Sequence, residues 1–169
     1  MNLEFQHLLP EDFSPNSRVW VYQCNRQLML SEALNIEPLI EDFCNQWQTH
    51  GAKVKAYGNI FFGRFLVLMA DESFAAVSGC STDSSVRFVK SLEQQFQVEF
   101  FDRTALAFFS KDKIEVLPMS QLSYAFEHGF IIPETLYFNN VVNTKKALQE
   151  DWIIPVKNSW LARRLKIEA

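Results

Sequence analysis

Phe65-Leu66-Val67-Leu68-Met69-Ala70 decides how this chain folds. Six apolar residues stand in a row with no alternation. A strand with one wet face alternates apolar and polar residues, because successive side chains point to opposite sides. A run that is apolar throughout is a strand covered on both faces. The run predicts the centre of a sheet, with one layer above it and another below.

The neighbours of this run extend the pattern. Residues 53–61 read as a partner strand, joined to 64–70 near Phe62-Gly63. Upstream, Ile36, Leu39, Ile40, Phe43, Cys44 and Trp47 recur at the spacing of one helix face. Ser31 or Asn35 is expected to cap that helix. Pro38 is expected in its first turn, and His50-Gly51 at its exit. Before it, Arg18-Val19-Trp20-Val21-Tyr22-Gln23-Cys24 is β-branched and aromatic and reads as a strand. After the apolar run, a second helix is predicted from about 84 to 96, and a strand over 98–102.

Residues 18–102 therefore read strand, helix, strand, strand, helix, strand. This is the order of the ferredoxin-like βαββαβ core within the α+β class. Right-handed crossovers set its antiparallel sheet order as 4-1-3-2, with both helices on one face. Residues 104–169 add a hairpin at 105–110 and 114–118, short helices at 120–128 and 144–150, and extended pieces at 135–138 and 152–156. The chain shows no linker or repeat, so residues 1–169 are read as one domain. The extension, or a second copy of the chain, is expected to cover the second face of the sheet.

Composition narrows the function classes. The chain has 169 residues, 48% hydrophobic and 21% charged, with sixteen phenylalanines. This length builds a core without metal or disulfide support. The net charge is −4 and the pI about 5.4. Nucleic-acid binding needs a basic footprint, and only Arg163-Arg164-Leu165-Lys166 offers one, where cations suit a helix C-terminus. The first residues carry no basic signal-peptide region, and no apolar stretch reaches the length of a bilayer span. Cys24, Cys44 and Cys80 are odd in number and widely spaced, as expected of a reducing cytoplasm.

The densest polar stretch is Ser78-Gly79-Cys80-Ser81-Thr82-Asp83-Ser84-Ser85, read as a loop from strand to helix. Free N–H groups at a helix start hold anions and lower thiol pKa values. The same residues also serve as plain helix caps. The predicted topology brings Arg18, His50, Asp71, Asp102 and Arg103 to the same sheet end. Cys80, Asp102 and His50 are then the candidates for catalysis. Cys80, Ser81, Thr82, Asp83, Ser84, Arg18, Asp71 and Arg103 are the candidates for holding a small anionic ligand.

Other motifs resolve against catalysis. Cys80 and Arg87 are one residue too far apart for a phosphatase loop, and Ser81 lacks the glycine of a hydrolase elbow. Gly58-Asn59-Ile60-Phe61-Phe62-Gly63-Arg64-Phe65 has P-loop glycine spacing but neither the lysine nor the hydroxyl. Trp20, Tyr22 and Phe65 sit on strands that stack bases in RNA-recognition domains, yet Leu66-Val67-Leu68 lacks the second aromatic. His7, His50 and His128 are isolated, and no Cys or His pair has zinc spacing. No metal site is predicted, and no cofactor is indicated.

Over nearly its full length the chain resembles an uncharacterised family of small proteins from Bacteroidetes-type bacteria. The stretches that carry the resemblance are Ser17-Arg18-Val19-Trp20-Val21-Tyr22-Gln23, 78–85, Phe100-Phe101-Asp102-Arg103 and Phe138-Asn139-Asn140. Some members carry the label of ABC-transporter ATPase. This chain has no usable P-loop, no ABC signature and insufficient length for that role. The resemblance implies no reaction. Three functional classes follow from the residues: a small-molecule or anion binder at the Cys80 loop, a protein-interaction or homo-oligomerisation module, and, weakest, a nucleic-acid binder.

Overall fold

The chain runs β1 (Arg18–Gln23), α1 (Leu30–Gln46), a short hairpin of β2 (Gln48–Thr49) and β3 (Ala52–Lys53), then β4 (Lys55–Phe61), β5 (Phe65–Asp71) and α2 (Gly79–Phe96). It continues through β6 (Ala105–Ser110), β7 (Lys113–Pro118), α3 (Leu122–Glu127), β8 (Leu136–Phe138), α4 (Lys145–Asp151), β9 (Ile153–Pro155) and α5 (Trp160–Leu165). The structure is a computed structural model. It describes residues 1–73, 77 and 79–167, and for Cys80 the backbone alone.

The fold is mixed α+β, with two larger antiparallel sheets. The first has the order β1-β5-β4 and the second β7-β6-β8-β9. β5 is buried at every position, as its unbroken apolar run requires. Strand parity then divides the molecule into layers. Leu66 and Leu68 join Ile36, Ile40, Val89 and Leu92 of the two long helices. Phe65, Val67 and Met69 face the other way, onto Ala107, Phe138 and Trp152. The second sheet repeats the device. Its Leu106, Phe108 and Tyr137 pack on Leu122 of α3 and Leu161 of α5. The order is thus helices, sheet, sheet, helices.

The layer between the sheets is aromatic. Trp152 is fully buried and meets Phe5 edge-on at 4.9 Å and Phe65 at 5.4 Å. Each such ring contributes about 1.5–3 kcal/mol by leaving water. Phe5, Leu9 and Phe13 close this core from the N-terminal segment. The segment is fastened by buried Lys145, whose Nζ donates to Pro10 O at 2.7 Å and Phe13 O at 2.9 Å, with Glu11 O at 3.4 Å.

Several expected boundaries move, each for a local reason. α1 starts at Leu30, because the Glu32 carboxylate accepts the Met29 N–H at 2.8 Å and is itself held by Arg26. Pro38 therefore lies inside the helix and not in its first turn. The Leu34 carbonyl loses its helical donor, but Leu34 and Pro38 are both exposed, so water can replace it. The helix ends at Gln46, and His50-Gly51 is not its cap. With φ of 46° and 81°, the pair forms the turn of the β2–β3 hairpin. Two successive left-handed residues suit the right-handed twist of a tight hairpin. Phe62 and Gly63 repeat this between β4 and β5, with φ of 53° and 60°. The expected strand over 53–61 is broken between β3 and β4 at Val54, which is buried beside Trp47.

Two corrections bear on function. The stretch read as a loop, 78–85, is helical from Gly79, five residues before the expected start of the second helix. The fourth strand expected over 98–102 does not form. Its backbone groups find partners outside a ladder: Glu99 N–H donates to Asn25 Oδ1 at 3.1 Å, Phe100 N–H to Glu93 Oε1 at 2.5 Å, and Glu99 O accepts the Asn25 N–H at 2.9 Å. Asp102 then turns the chain by accepting the Thr104 N–H at 2.8 Å. Local side-chain bonds of this kind compete with a sheet ladder. β1 is left with one side largely unpaired.

Candidate functional site

The start of α2 is richly bonded to itself and its neighbours. Ser81 Oγ donates to Gln48 O at 2.9 Å, Ser84 Oγ to Ser81 O at 2.7 Å and Ser85 Oγ to Thr82 O at 2.7 Å. The Trp47 indole donates to Ser81 O at 3.0 Å. These hydroxyls bond carbonyls within or beside the helix. Thr82 is half-buried and Asp83 is exposed. The side chain of Cys80 and the whole of Ser78 lie outside the described residues.

The other candidate residues are distributed around this region. His50 is exposed on the hairpin turn beside it. Arg18 is exposed, with its guanidinium 4.9 Å from the centre of the Trp20 ring, and Trp20 packs on Trp47 at 5.7 Å. Asp71 stands at the same end of the sheet but on its opposite face. It falls in the parity class of Val67 and Met69, so it points under the N-terminal segment and away from α2. There it accepts Ser14 N–H and Ser73 N–H, each at 3.1 Å, with Lys55 Nζ at 3.6 Å. Burial opposes its charge, but the bonds from Ser73 and Ser14 and the Lys55 ammonium together hold its pKa below the ordinary value. Among the described residues no cluster of three or more His, Cys, Asp or Glu could hold a metal ion.

Asp102 and Arg103 lie on the wall of a cleft of about 350 Å³, which adjoins the start of α2 through Tyr22, whose phenol bonds the Ser85 side chain. The cleft follows the unpaired side of β1 and separates it from the second sheet. It exists because 98–103 passes β1 without pairing to it. Thr104 donates to Asp102 through both its hydroxyl and its N–H, which lowers the pKa of the carboxyl. Arg103 is exposed at the lip.

The cleft has an aromatic wall and an amide floor. Trp20, Tyr22, Phe101, Tyr137 and Trp160 contribute rings. Phe101 braces Tyr22 edge-on at 5.5 Å, and Trp160 braces Tyr137 at 6.4 Å. On the floor, Gln23 Nε2 donates to Ala105 O at 3.2 Å, Asn140 Nδ2 to Gln23 Oε1 at 2.9 Å, and the Trp152 indole to Asn140 Oδ1 at 3.0 Å. This chain of amides ties the first sheet to the second and fixes which way each amide faces. Burial raises the Tyr22 phenol above its usual pKa and pushes Tyr137 up to about 12. Both phenols are neutral donors at physiological pH.

Comparison with protein-family models, with curated proteins and with solved structures finds no match for this chain. What the cleft can do is read from its chemistry. Among its described lining residues there is no Cys, His or Lys, the side chains that most often act as nucleophile or base. Rings, fixed amides and a nearby cation are equipment for holding a molecule. Sequence reasoning missed Gln23, Asn140, Tyr137 and Trp160. The pair Asn139-Asn140, directly after an apolar strand, was the available signal, since amides placed beside a core need defined partners.

Proposed function

We propose that this chain is a binding protein whose ligand sits in the cleft beside β1, and not at the start of α2. One observation carries the reading: a concave, aromatic-walled space of about 350 Å³ with a fixed polar floor. Ligand sites are typically of this size or larger, mostly apolar, with a few oriented polar groups. The ligand would carry an apolar body against the rings and a polar or anionic group toward Arg103. The architecture supports a ferredoxin-like origin for the first sheet. The order β1-β5-β4 with two helices on one face is what a 4-1-3-2 sheet keeps when its fourth strand leaves. On this reading, the departure of that strand made the site.

The test is titration with 8-anilinonaphthalene-1-sulfonate, an aromatic probe with an anionic head. One probe per chain is expected, with energy transfer from Trp160 at the lip. Ala105→Trp fills the cleft and should weaken binding at least tenfold without lowering the melting temperature greatly. Ser84→Ala at the helix start should leave it unchanged. Probe binding indifferent to Ala105→Trp would overturn the reading.

A second reading rests on a different observation. Tyr124, Phe130 and Ile132, on and just after α3, are 60%, 68% and 49% exposed. Clustered exposed apolar side chains favour association, here of two copies. Light scattering tests this: a strict monomer at high concentration removes it. Among the described residues no helix is long and apolar enough to cross a membrane.

A further inference from the structure

The unpaired side of β1 defines more than a volume. β1 bonds to β5 through its even-numbered residues, as Cys24 N–H to Arg64 O at 2.8 Å shows. Backbone N–H and C=O groups alternate in direction along a strand. The odd-numbered residues Val19, Val21, Gln23 and Asn25 therefore aim theirs away from β5. At one end, Val19 N–H donates to Asn143 O at 3.0 Å, and Lys145 N–H donates to Ser17 O at 2.9 Å. At the other end, Asn25 N–H donates to Glu99 O at 2.9 Å. Between these closures, the outward groups of Val21, the carbonyl of Val19 and the N–H of Gln23 have no partner among the described residues. They face the cleft.

An open edge between two closed ends selects its occupant. The span from Val19 to Gln23 is about 14 Å at roughly 3.4 Å per residue. That is room for two or three extended residues. A long running strand does not fit, because both ends are plugged, and another protein's sheet edge cannot reach a strand recessed between two layers. The lip adds charge. Arg103 borders the cleft and Arg18 lies over Trp20, one of its rings. Among the described residues neither is in an ion pair, while Asp102 is engaged by Thr104. An anionic group is the complement. Val141 and Trp160, at the cleft, are 68% and 40% exposed and offer apolar contact.

We propose that the cleft takes the last two or three residues of a peptide, which add to β1 at Val21 as a short strand with their free carboxylate toward Arg103. Backbone pairing of this kind gives affinity through the main chain and specificity through side-chain pockets. The proposal rests on the cleft being the binding site. It goes further by naming the class of ligand.

The probe is a combinatorial set of tripeptides, anchored through their N-termini so that the carboxylate is free, and screened with the labelled full chain. The tightest binder is then compared in solution as the free acid, as the C-terminal amide and with one internal amide replaced by an ester. The amide and the ester should each bind at least tenfold more weakly than the free acid. Val21→Pro removes one outward N–H and leaves the bonds to β5, since proline is tolerated where an edge N–H faces out. It should cost at least tenfold in peptide affinity while still binding the naphthalene sulfonate within about threefold of the parent, whereas Arg103→Gln should weaken both the peptide and the sulfonate, since each brings an anionic head to that guanidinium. If Val21→Pro fails to fold, the ester comparison decides alone. A peptide that binds equally well as the ester, or equally well to Val21→Pro, overturns the proposal. If no tripeptide binds while the sulfonate does, the peptide proposal falls and the cleft reading stands. If Ala105→Trp affects neither probe, both fall.

Discussion

The start of α2 and the open side of β1 both carry a row of hydrogen-bonding groups, side-chain hydroxyls at the one and main-chain N–H and C=O at the other, and they use them differently. At the helix start the small polar residues are bonded to carbonyls within α2 and to Gln48. Along β1 the flanking residues are Val, Trp and Tyr, yet Val21 has no partner among the described residues for its outward groups. The polar-rich place is the more satisfied one, and the apolar-rich place holds the unused capacity. A count of Ser, Thr and Asp shows where bonds are plentiful. It does not show where any are left over.

The heaviest blow to this contrast is Trp152→Ala. It empties the ring cluster between the sheets and releases Asn140 from its indole donor. A loss of about 3–5 kcal/mol is expected from urea unfolding. A loss under about 1 kcal/mol would show that the cleft floor is not anchored by this core.

Gln23→Leu comes next. It removes the amide that reaches both Ala105 O and Asn140, and strands polar groups in a buried place. The expected cost is about 1–3 kcal/mol, with weaker naphthalene-sulfonate binding. Unchanged binding would mean that the amide floor does not shape the site.

Ser81→Ala acts on the other member of the comparison. It deletes the bond to Gln48 O inside a buried contact and should cost about 1 kcal/mol. Ligand affinity at the cleft should not move. If affinity falls while stability holds, the helix start belongs to the site after all.

The smallest effect is electrostatic. Arg26 donates to both oxygens of Glu32 at 2.7 Å, and the Met29 N–H adds a third bond. These hold the carboxyl down at about 2, below the roughly 4.3 of an unfolded glutamate. Because the folded value is the lower one, the contribution is complete above about pH 4.3 and is lost as pH falls toward 2. Glu32→Gln should flatten the dependence of the urea midpoint on pH in that window. The pair is half-buried at the surface, so salt should blunt the difference in part.

Much of this architecture is legible in the chain. The run at 65–70 places the central strand and its two covering layers. Ile36, Ile40 and the turn at Phe62-Gly63 place α1 and the β4–β5 hairpin. The helix start at Gly79 escapes such a reading, because serine and threonine look like loop and here bond back to the helix's own carbonyls. The absence of a strand over 98–102 escapes it for a related reason. Phe100 and Phe101 have strand propensity, but Asn25, Glu93 and Asp102 capture the backbone, and such capture depends on residues up to 74 positions away. Asp71 is found at the expected sheet end, but strand parity sends its side chain to the other face. The cleft itself is hidden, although Val19 to Gln23, Phe100 to Arg103, Phe138 and Asn140 all line it. An absent ladder leaves no mark in a sequence.

The grip of Lys145 on residues 10–13 has a consequence for how the molecule is made. Those carbonyls stay unclaimed until a side chain more than 130 positions downstream has left the ribosome. Phe5, Leu9 and Phe13 must meanwhile find temporary shelter. The nascent protein therefore cannot complete this interior before Lys145 has been synthesised, and until then those apolar side chains are open to wrong association.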